Sequence, residues 1–290
     1  MDVTQLFCEI DDFVKVLENK NDPNLLISRT KNRRGTSPQM SLSEIMTIAV
    51  LYHSSNYKNF KSFYHFLREQ KRSEFPSVLS YSRFVEWIPY CLFPLTAFLQ
   101  TKMGESTGIN YVDSTTLPVC KNIRIPRNKV FKDIAARGKS SMGWFFGFKL
   151  HIIIDEKGEL LSFAFTKGNV HDIVPLNTLC KEIKGKLYGD KGYCSKKATS
   201  ELLLKGIELF TNVRSNMKKK LMSAHDKILL RKRFVIETVN DVLKNGCNID
   251  HSRHRSPMNF LVNLVAGLIS YTYQEKKPSI KWSTGPLLLE

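Results

Sequence analysis

The sequence lacks the features that mark secreted, zinc-binding or membrane proteins. Its six cysteines stand far apart with no C-x-x-C pair, which argues against both a disulfide framework and a zinc knuckle. The longest apolar run, residues 260–273, is shorter than the roughly 17 to 25 residues of a membrane span and predicts a buried helix. An acidic start that includes Asp2 and Glu9 stands where a secretory signal would be basic and then apolar. We therefore expect a cytoplasmic protein with reduced cysteines and no membrane partner.

Acidic residues are also scarce relative to basic ones. Forty-four Lys and Arg against 27 Asp and Glu give a net charge of +17, which is typical of a protein that binds a polyanion. Residues 1–107 carry a net charge of +2 and residues 108–290 carry +15. A single basic run is most often a solvated surface. Two runs, residues 121–143 and 214–233, lie in the second part beside the carboxylates discussed below and favour contacts with a nucleic-acid backbone.

The length of 290 residues predicts about two domains. The first, residues 1–107, shows helical spacing of its apolar residues and no alternating strand pattern, so we expect it to be all helical. Ser41 or Ser43 is the expected N-cap of one helix. Other predicted elements are helices over residues 57–70 and 82–99, the second bent or ended at Pro89 and Pro94, and a polar loop at residues 28–38.

From residue 108 the pattern changes to short β-rich runs that alternate with helical ones. The order β-β-β-α-β-α-β-α predicts an α/β fold, a mixed sheet flanked by helices over residues 108–275, and a C-terminal tail of residues 276–290. The glycine-containing link at residues 155–159 predicts a hairpin. The predicted strands are residues 109–116, 146–155, 160–166, 185–189 and 207–213, and the predicted helices begin near Asp172 and cover residues 198–205 and 225–245.

Three carboxylates stand where this sheet would bring them together. Asp113 lies inside the first strand, Asp190 directly follows the fourth, and Glu237 lies on the last long helix. A carboxylate within an apolar strand is costly to bury unless it meets a cation or a hydrogen-bond donor. Convergent carboxylates suit magnesium, and two such ions roughly 4 Å apart can activate the attacking oxygen and stabilise the leaving oxygen of a phosphodiester. The three residues are therefore candidate metal ligands and catalytic residues.

Two of these carboxylates also have a purely structural interpretation. Asp190 precedes Lys191 in a glycine-assisted turn, although open α/β sheets place ligands at this end of a strand. Glu237 follows Arg233 by four residues, which is the spacing of an exposed ion pair on a helix. Arg233, Glu237 and Lys244 share one face of the predicted helix, opposite an apolar face.

Two histidine-containing segments provide further candidates. Asn169 or His171 is the preferred cap of the helix predicted near Asp172, with Asp172 in its first turn, and assistance to the chemistry by Asp172 or His171 is the alternative. A second cluster combines two histidines with Arg253 and Arg255 and has no cysteine or carboxylate pattern for zinc. Phosphate contact is the preferred role of that cluster.

The acidic residues and their flanking motifs resemble the signature of bacterial insertion-sequence transposases that have an RNase H-like core and a DDE acidic triad. The likeness is strongest to the nine-eighty-two family of insertion sequences and spans about residues 40–275. One departure is Leu230, at a position where related families often carry a tyrosine. The motifs that carry the resemblance are Asp113 in its strand, Gly189-Asp190-Lys191-Gly192-Tyr193, Arg233 with Glu237 and Lys244, Leu42-Ser43-Glu44-Ile45, Tyr57-Lys58-Asn59-Phe60-Lys61, Ser82-Arg83-Phe84 and His251-Ser252-Arg253-His254-Arg255-Ser256-Pro257.

The resemblance implies a helical DNA-binding region in residues 1–107 and an RNase H-like catalytic domain after it. Asp113, Asp190 and Glu237 would hold Mg²⁺, with Mn²⁺ as a substitute, and would cleave the element ends and join their 3′ hydroxyls to target DNA. The implied partners are terminal inverted repeats, target DNA and at least one further copy of the chain, in the bacterial cytoplasm at the nucleoid. The implied DNA contacts are Arg124, Arg127, Lys129, Lys191, Arg233, Lys244, Arg253 and Arg255.

Two other functions fit the same residues. A metal-dependent nuclease or resolvase of this fold would cut DNA without joining it, and a strand-transfer assay separates the two. A non-catalytic DNA-binding derivative would have lost the chemistry. The presence of all three carboxylates argues against that derivative.

Overall fold

The computed structural model describes residues 1–19, 39–212, 221–250 and 254–281. The predicted loop at residues 28–38, part of the second basic run, Arg253 and the end of the predicted tail lie outside these ranges. The chain divides into a helical unit and a sheet unit. The helical unit comprises Met1–Met103, Val119–Asp133 and Val242–Gln274, and the sheet unit comprises Gly104–Pro118, Ile134–Asp241 and Glu275–Glu290. The predicted division at residue 107 differs from this one, because the chain returns twice to the helical unit.

Short polar residues set the starts of the helices in the N-terminal part of the helical unit. Ser41 begins the second helix with a reciprocal capping box, in which its hydroxyl accepts from the Glu44 N–H and the Glu44 carboxylate accepts from the Ser41 N–H. The expected N-cap at Ser41 is thus confirmed, and Ser43 lies inside the helix. Up to residue 103, the described helices are α1 (Val3–Asn19), α2 (Leu42–Ser54), α3 (Phe60–Gln70), α4 (Tyr81–Trp87) and α5 (Leu92–Thr101).

The helical segment predicted over residues 82–99 is confirmed, as is its interruption at Pro89, whereas Pro94 lies within the first turn of α5. A 3-10 helix, Ile88–Cys91, separates α4 from α5, and Pro89 occupies its first turn. A proline is tolerated there because the first N–H groups of a helix have no acceptor within the helix.

The sheet unit contains a mixed six-stranded sheet, which confirms the predicted α/β class. The strand order is β2-β3-β1-β5-β6, and β4 also pairs with β3; β1, β5 and β6 run parallel, whereas β3 is antiparallel to β2 and β4. The elements are β1 (Ile109–Cys120), β2 (Ala136–Ser140), β3 (Gly143–Asp155), β4 (Leu160–Lys167), α6 (Leu176–Leu179), β5 (Gly185–Gly189), α7 (Lys196–Leu203), β6 (Ile207–Thr211), α8 (Ala224–Arg231) and α9 (Phe234–Asp241).

The predicted hairpin between β3 and β4 is confirmed. The Asp155 carboxylate accepts from the N–H groups of Lys157 and Glu159, which closes the turn. Gly158 adopts φ +79° there, a conformation in which a side chain would be strained.

Three details of the predicted sheet unit are wrong. The strand β2 was not expected, because its sequence has no alternating apolar residues; its backbone pairing with β3 makes it a strand. The helix expected to begin near Asp172 is reduced to the four residues of α6. The long helix over residues 225–245 is split into α8 and α9, because Val235 and Ile236 donate to carbonyls three residues earlier, at Lys232 and Arg233.

A cluster of buried side chains holds the strands that carry the candidate site. It includes Val112 of β1 and Leu187 of β5, with Leu176, Leu202 and Ile207 from elements beside them. All five are almost fully shielded from solvent. The ends of β1 and β5 are therefore anchored on one side in a packed core.

The C-terminal helix of the helical unit is α10 (Pro257–Thr272), which confirms the buried helix predicted over residues 260–273. Ser256 is its N-cap and Pro257 its first residue. The helix contacts α2 and α5 within the same unit. Among the described residues, no helix combines the length and the apolar character that a membrane crossing requires.

Candidate active site

The pairing of β1 with β5 brings two of the predicted carboxylates to the same level. The last parallel partners are Tyr111 of β1 and Tyr188 of β5. Asp113 lies two residues after Tyr111, and Asp190 lies two residues after Tyr188. Asp190 is exposed, and its carbonyl accepts from the N–H of Tyr193 in the turn that follows β5. The predicted turn and the predicted juxtaposition of strand ends are both present.

The absence of a side chain at Gly189 leaves space for the packing of this turn. A Cβ atom at this position would lie 3.0 Å from Cγ1 of Val112 and 3.2 Å from Cδ2 of Tyr193. Because glycine has no side chain, the ring of Tyr193 packs directly behind the end of β5, where it is buried. Gly189 therefore permits the close packing behind Asp190.

The turn between α8 and α9, together with α9 itself, presents three side chains to the first carboxylate. Arg233 places Nη1 3.7 Å from Oδ1 of Asp113 and donates through Nη2 to Oε1 of Glu237 at 2.5 Å. Asn240 donates through Nδ2 to Oδ2 of Asp113 at 3.1 Å. The Asp113 side chain is 21% exposed and that of Glu237 is 53% exposed. The ion pair predicted as the structural role of Glu237 is present, and it lies beside Asp113.

The electrostatics of Asp113 are unusual for a carboxylate. Burial raises its pKa to about 6, against the opposing effects of the Arg233 guanidinium and a backbone hydrogen bond at Ser114. The charges of Glu237 and Asp190 raise this pKa further. The ionised carboxylate is therefore costly here, and a nearby divalent cation would reduce that cost.

The described residues do not form a preformed metal-binding site. Among them, no group of three or more His, Cys, Asp and Glu side chains is placed to hold a metal ion. The Arg233 guanidinium stands between Asp113 and Glu237 as the local cation. The carboxylate oxygens of Asp113, Asp190 and Glu237 are nevertheless of the ligand type that a hard divalent ion prefers.

A second layer of polar contacts lies next to Asp113. Asp172 accepts from Oγ of Ser114 and from Nζ of Lys149, both at 2.9 Å. The capping interpretation of Asn169 or His171, with Asp172 in the first turn, is wrong because no helix begins there; His171 instead accepts from the N–H of Ile173. Asp172 therefore lies beside the residue that follows Asp113, and its assistance to the chemistry stays a prediction.

Sequence reasoning did not identify three residues of this neighbourhood. Lys149 is a lone cation in the apolar strand β3, and that isolation was the available signal, because a buried cation needs a partner. Asn240 lies three residues after Glu237, so helical spacing alone could have placed both on one face.

Tyr193 is the third of these residues. Burial and the charges of Asp113 and Asp172 raise the pKa of Tyr193 well above its usual value, so its hydroxyl stays neutral. A hydrogen bond with the Ser114 side chain opposes this rise in pKa.

The basic residues predicted to contact DNA are distributed over both units. Lys191 is exposed in the turn after Asp190 in the sheet unit. Lys244 lies in a π-helical turn, Val242–Gly246, of the helical unit, where its Nζ is 3.9 Å from Asp250. The remaining members are Arg124 and Arg127 on an exposed 3-10 helix (Asn122–Arg127), the exposed Lys129 after it, and the exposed Arg255 before α10, all in the helical unit. Contact with DNA stays a prediction for each of them.

Comparison with known proteins adds independent findings. A family profile described as a transposase DDE domain matches residues 103–257, which is more than half of the chain. A solved piggyBac transposase, described as a synaptic complex with hairpin DNA, is similar in structure: 13% of residues are identical, the TM-score is 0.51, and the match covers 92% of this chain and 71% of that one. A search of curated proteins found no match. At this identity the structural likeness indicates a shared fold.

Proposed function

The chain belongs to the transposase DDE domain family, and from this premise we propose that it cleaves the ends of a DNA element and joins the freed 3′ hydroxyls to target DNA. The observation that carries the proposal is the convergence of Asp113, Asp190 and Glu237, from β1, the end of β5 and α9, within the region that the family profile matches. A DNA transposase is an enzyme that acts on DNA, and these carboxylates are its proposed catalytic residues.

The strand arrangement supports an RNase H-like core. Leaving β2 aside, the order is β4-β3-β1-β5-β6, with two antiparallel hairpin strands followed by parallel ones. The first strand is central, and the acidic residues lie on it and after its parallel neighbour. This placement follows the general rule that open α/β sheets bind ligands at the carboxyl ends of their strands.

Asp113, Asp190 and Glu237 are the proposed holders of divalent ions, with Mg²⁺ preferred and Mn²⁺ as a substitute. When bound, such ions activate the attacking oxygen and stabilise the leaving oxygen. Asn240 holds the Asp113 carboxylate through Oδ2 and leaves Oδ1 facing the local cation. Arg233 must release Glu237 for that carboxylate to act as a ligand, and the freed guanidinium can then contact a DNA phosphate.

The proposed partners are the terminal inverted repeats and the target DNA. The net charge of +17 supports this, as do the exposed Arg124, Arg127 and Lys129. Two element ends must be held together for joining, so we expect at least a dimer in the synaptic complex.

The test uses purified protein, Mg²⁺ and labelled DNA that carries the terminal repeats of its own element. We expect cleavage at the ends and strand-transfer products, both lost in Asp113→Asn and Asp190→Asn while DNA binding remains. Asp12→Asn, an exposed change on α1, is the matched control. Cleavage without joining would identify a nuclease or resolvase, and binding without cleavage a non-catalytic derivative. Nicking by Asp113→Asn at the wild-type rate would contradict the triad.

A further inference from the structure

A cavity of about 700 Å³ lies within the helical unit, built from residues that the catalytic proposal does not use. Its walls come from α2, the start of α3, α4 and α10. Two of the motifs named above contribute to it, through residues 58–61 and 254–255. The lining that matters here consists of Tyr52, Phe60 and Tyr81, the cations Lys58, Lys61 and Arg255, and the amides Asn259 and Asn263.

The charged side chains that line the cavity are basic. Lys58, Lys61 and Arg255 reach the cavity, and no Asp or Glu is among its described lining residues. Lys61 places Nζ 5.9 Å from the centre of the Tyr81 ring. Arg255 is close enough to oppose the rise in the pKa of Tyr81 that burial causes. The ligand that fits this lining is an anion.

The aromatic walls supply flat apolar surface. Phe60 contacts Tyr52 edge-on, with ring centres 5.1 Å apart, and lies 6.4 Å from Tyr81. These rings are held by contacts with one another, so they are preorganised to accept a planar group. An unstacked base binds such surfaces regardless of its identity, because every base has an aromatic face.

Two amide groups in the lining lack hydrogen-bond partners. Oδ1 of Asn259 and Nδ2 of Asn263 are buried, and neither is bonded within the part of the chain that the structure describes. The two residues are four apart on α10, so they lie one above the other on one face. An acceptor and a donor left open inside an otherwise packed unit cost free energy unless a ligand engages them.

We propose that this cavity binds one nucleotide of the DNA substrate with its base unstacked from the duplex. The base would pack against Phe60 and Tyr81, the amides of Asn259 and Asn263 would bond its polar edge, and the cations would hold its phosphate. A volume of about 700 Å³ accommodates a nucleotide. This inference rests on the proposed action on DNA, and it concerns a site separate from the carboxylates.

The test measures binding and cross-linking in EDTA, so that it does not depend on cleavage. Oligonucleotides of the terminal repeat carry 5-iododeoxyuridine at one scanned position each, and irradiation links that base to an aromatic side chain beside it. We expect a cross-link at Tyr81, Phe60 or Tyr52 for one position, identified by mass spectrometry. Free dTMP in excess should compete weakly. If cross-links form only on residues outside the cavity, at every scanned position, the proposal is overturned.

Variants provide the second arm. Asn263→Leu removes the open amide at similar size, so we expect unchanged or higher thermal stability together with DNA binding weakened by about tenfold. Lys61→Ala should weaken binding similarly, whereas Lys71→Ala, the same charge change at the other end of α3, should alter it less than twofold. Unchanged DNA affinity in both cavity variants contradicts the site. Loss of cleavage with the cross-link retained contradicts only the catalytic proposal.

Discussion

Two acidic centres of the sheet unit, around Asp113 and around Asp226, are built in opposite ways. Asp226 accepts hydrogen bonds from Nζ of Lys186 at 2.7 Å, the hydroxyl of Tyr188 at 2.8 Å and Oγ of Ser223 at 2.5 Å. Burial opposes ionisation there, but these donors outweigh it and lower the pKa of Asp226 to about 2. Burial and like charges instead raise the pKa of Asp113 to about 6.

The difference is the one expected between a structural carboxylate, Asp226, and the proposed catalytic carboxylate, Asp113. The protein supplies Asp226 with its full set of donors, so the charge stabilises the fold. Asp113 accepts a 3.1 Å hydrogen bond from Asn240, has the Arg233 guanidinium at 3.7 Å, and is repelled by neighbouring carboxylates, so we propose that its charge serves an external cation. Substitution of Asp113 should therefore affect catalysis, and substitution of Asp226 should affect stability.

The largest effect is expected for Asp113→Asn. Loss of a metal ligand should lower the rate of end cleavage on the order of a thousand-fold, since several kcal/mol of transition-state stabilisation disappear. Mg²⁺ should raise the melting temperature of the wild type and not that of the variant. Rate and melting temperature are measured on the same preparations. A variant that still responds to Mg²⁺ as the wild type does would argue against Asp113 as a ligand.

The next effect compares Glu237→Gln with Arg233→Ala. If Glu237 is a metal ligand, its replacement should collapse turnover with the fold intact, whereas an exposed ion pair alone is worth only a few tenths of a kcal/mol. Arg233→Ala should weaken cleavage and reduce its salt sensitivity while the Mg²⁺ requirement stays unchanged. Cleavage is assayed over a range of Mg²⁺ and salt concentrations. If both variants lose only melting temperature, the helix α9 is structural and the third ligand lies elsewhere, with Asp172 and Asp241 the first residues to test.

Asp226→Asn should change stability and leave the chemistry alone. Removing a buried charge that three donors serve should lower the free energy of unfolding by roughly 2 to 3 kcal/mol. Cleavage per folded molecule should match the wild type. Urea unfolding followed by circular dichroism measures the first quantity, and an active-site-normalised assay the second. A loss of activity larger than the loss of folded protein would show that the two centres are coupled.

The smallest effect is the acid dependence of that stability difference. The pKa of Asp226 is lowered in the folded state, so its contribution is fully present above the ordinary aspartate value near 4 and is lost as the pH falls towards about 2. The wild type and Asp226→Asn should therefore converge in stability between about pH 4 and pH 2. Parallel unfolding curves across this range would mean that the hydrogen bonds do not favour the charged form.

The sequence indicated which strand ends would carry the candidate carboxylates, whereas several elements around them were predicted wrongly; the role of the carboxylates stays a prediction. Asp113 and Asp190 could be paired because parallel strands end together, and Glu237 because its helix follows the last strand. Helical spacing could have placed Asn240 near Glu237, but not its hydrogen bond to Asp113, which joins residues 127 positions apart. The cavity in the helical unit escaped prediction for the same reason, since α2 and α10 contribute to it from distant parts of the sequence.

The return of residues 242–274 to the helical unit has a consequence for synthesis. The N-terminal helices leave the ribosome first, but α10 packs against α2 and α5, so their shared core cannot close until almost the whole chain has emerged. A prematurely terminated chain would lack one wall of the nucleotide cavity and would expose the apolar faces that α10 covers. If the cavity has the proposed role, truncated copies would bind DNA weakly and would be poor competitors for the full-length chain.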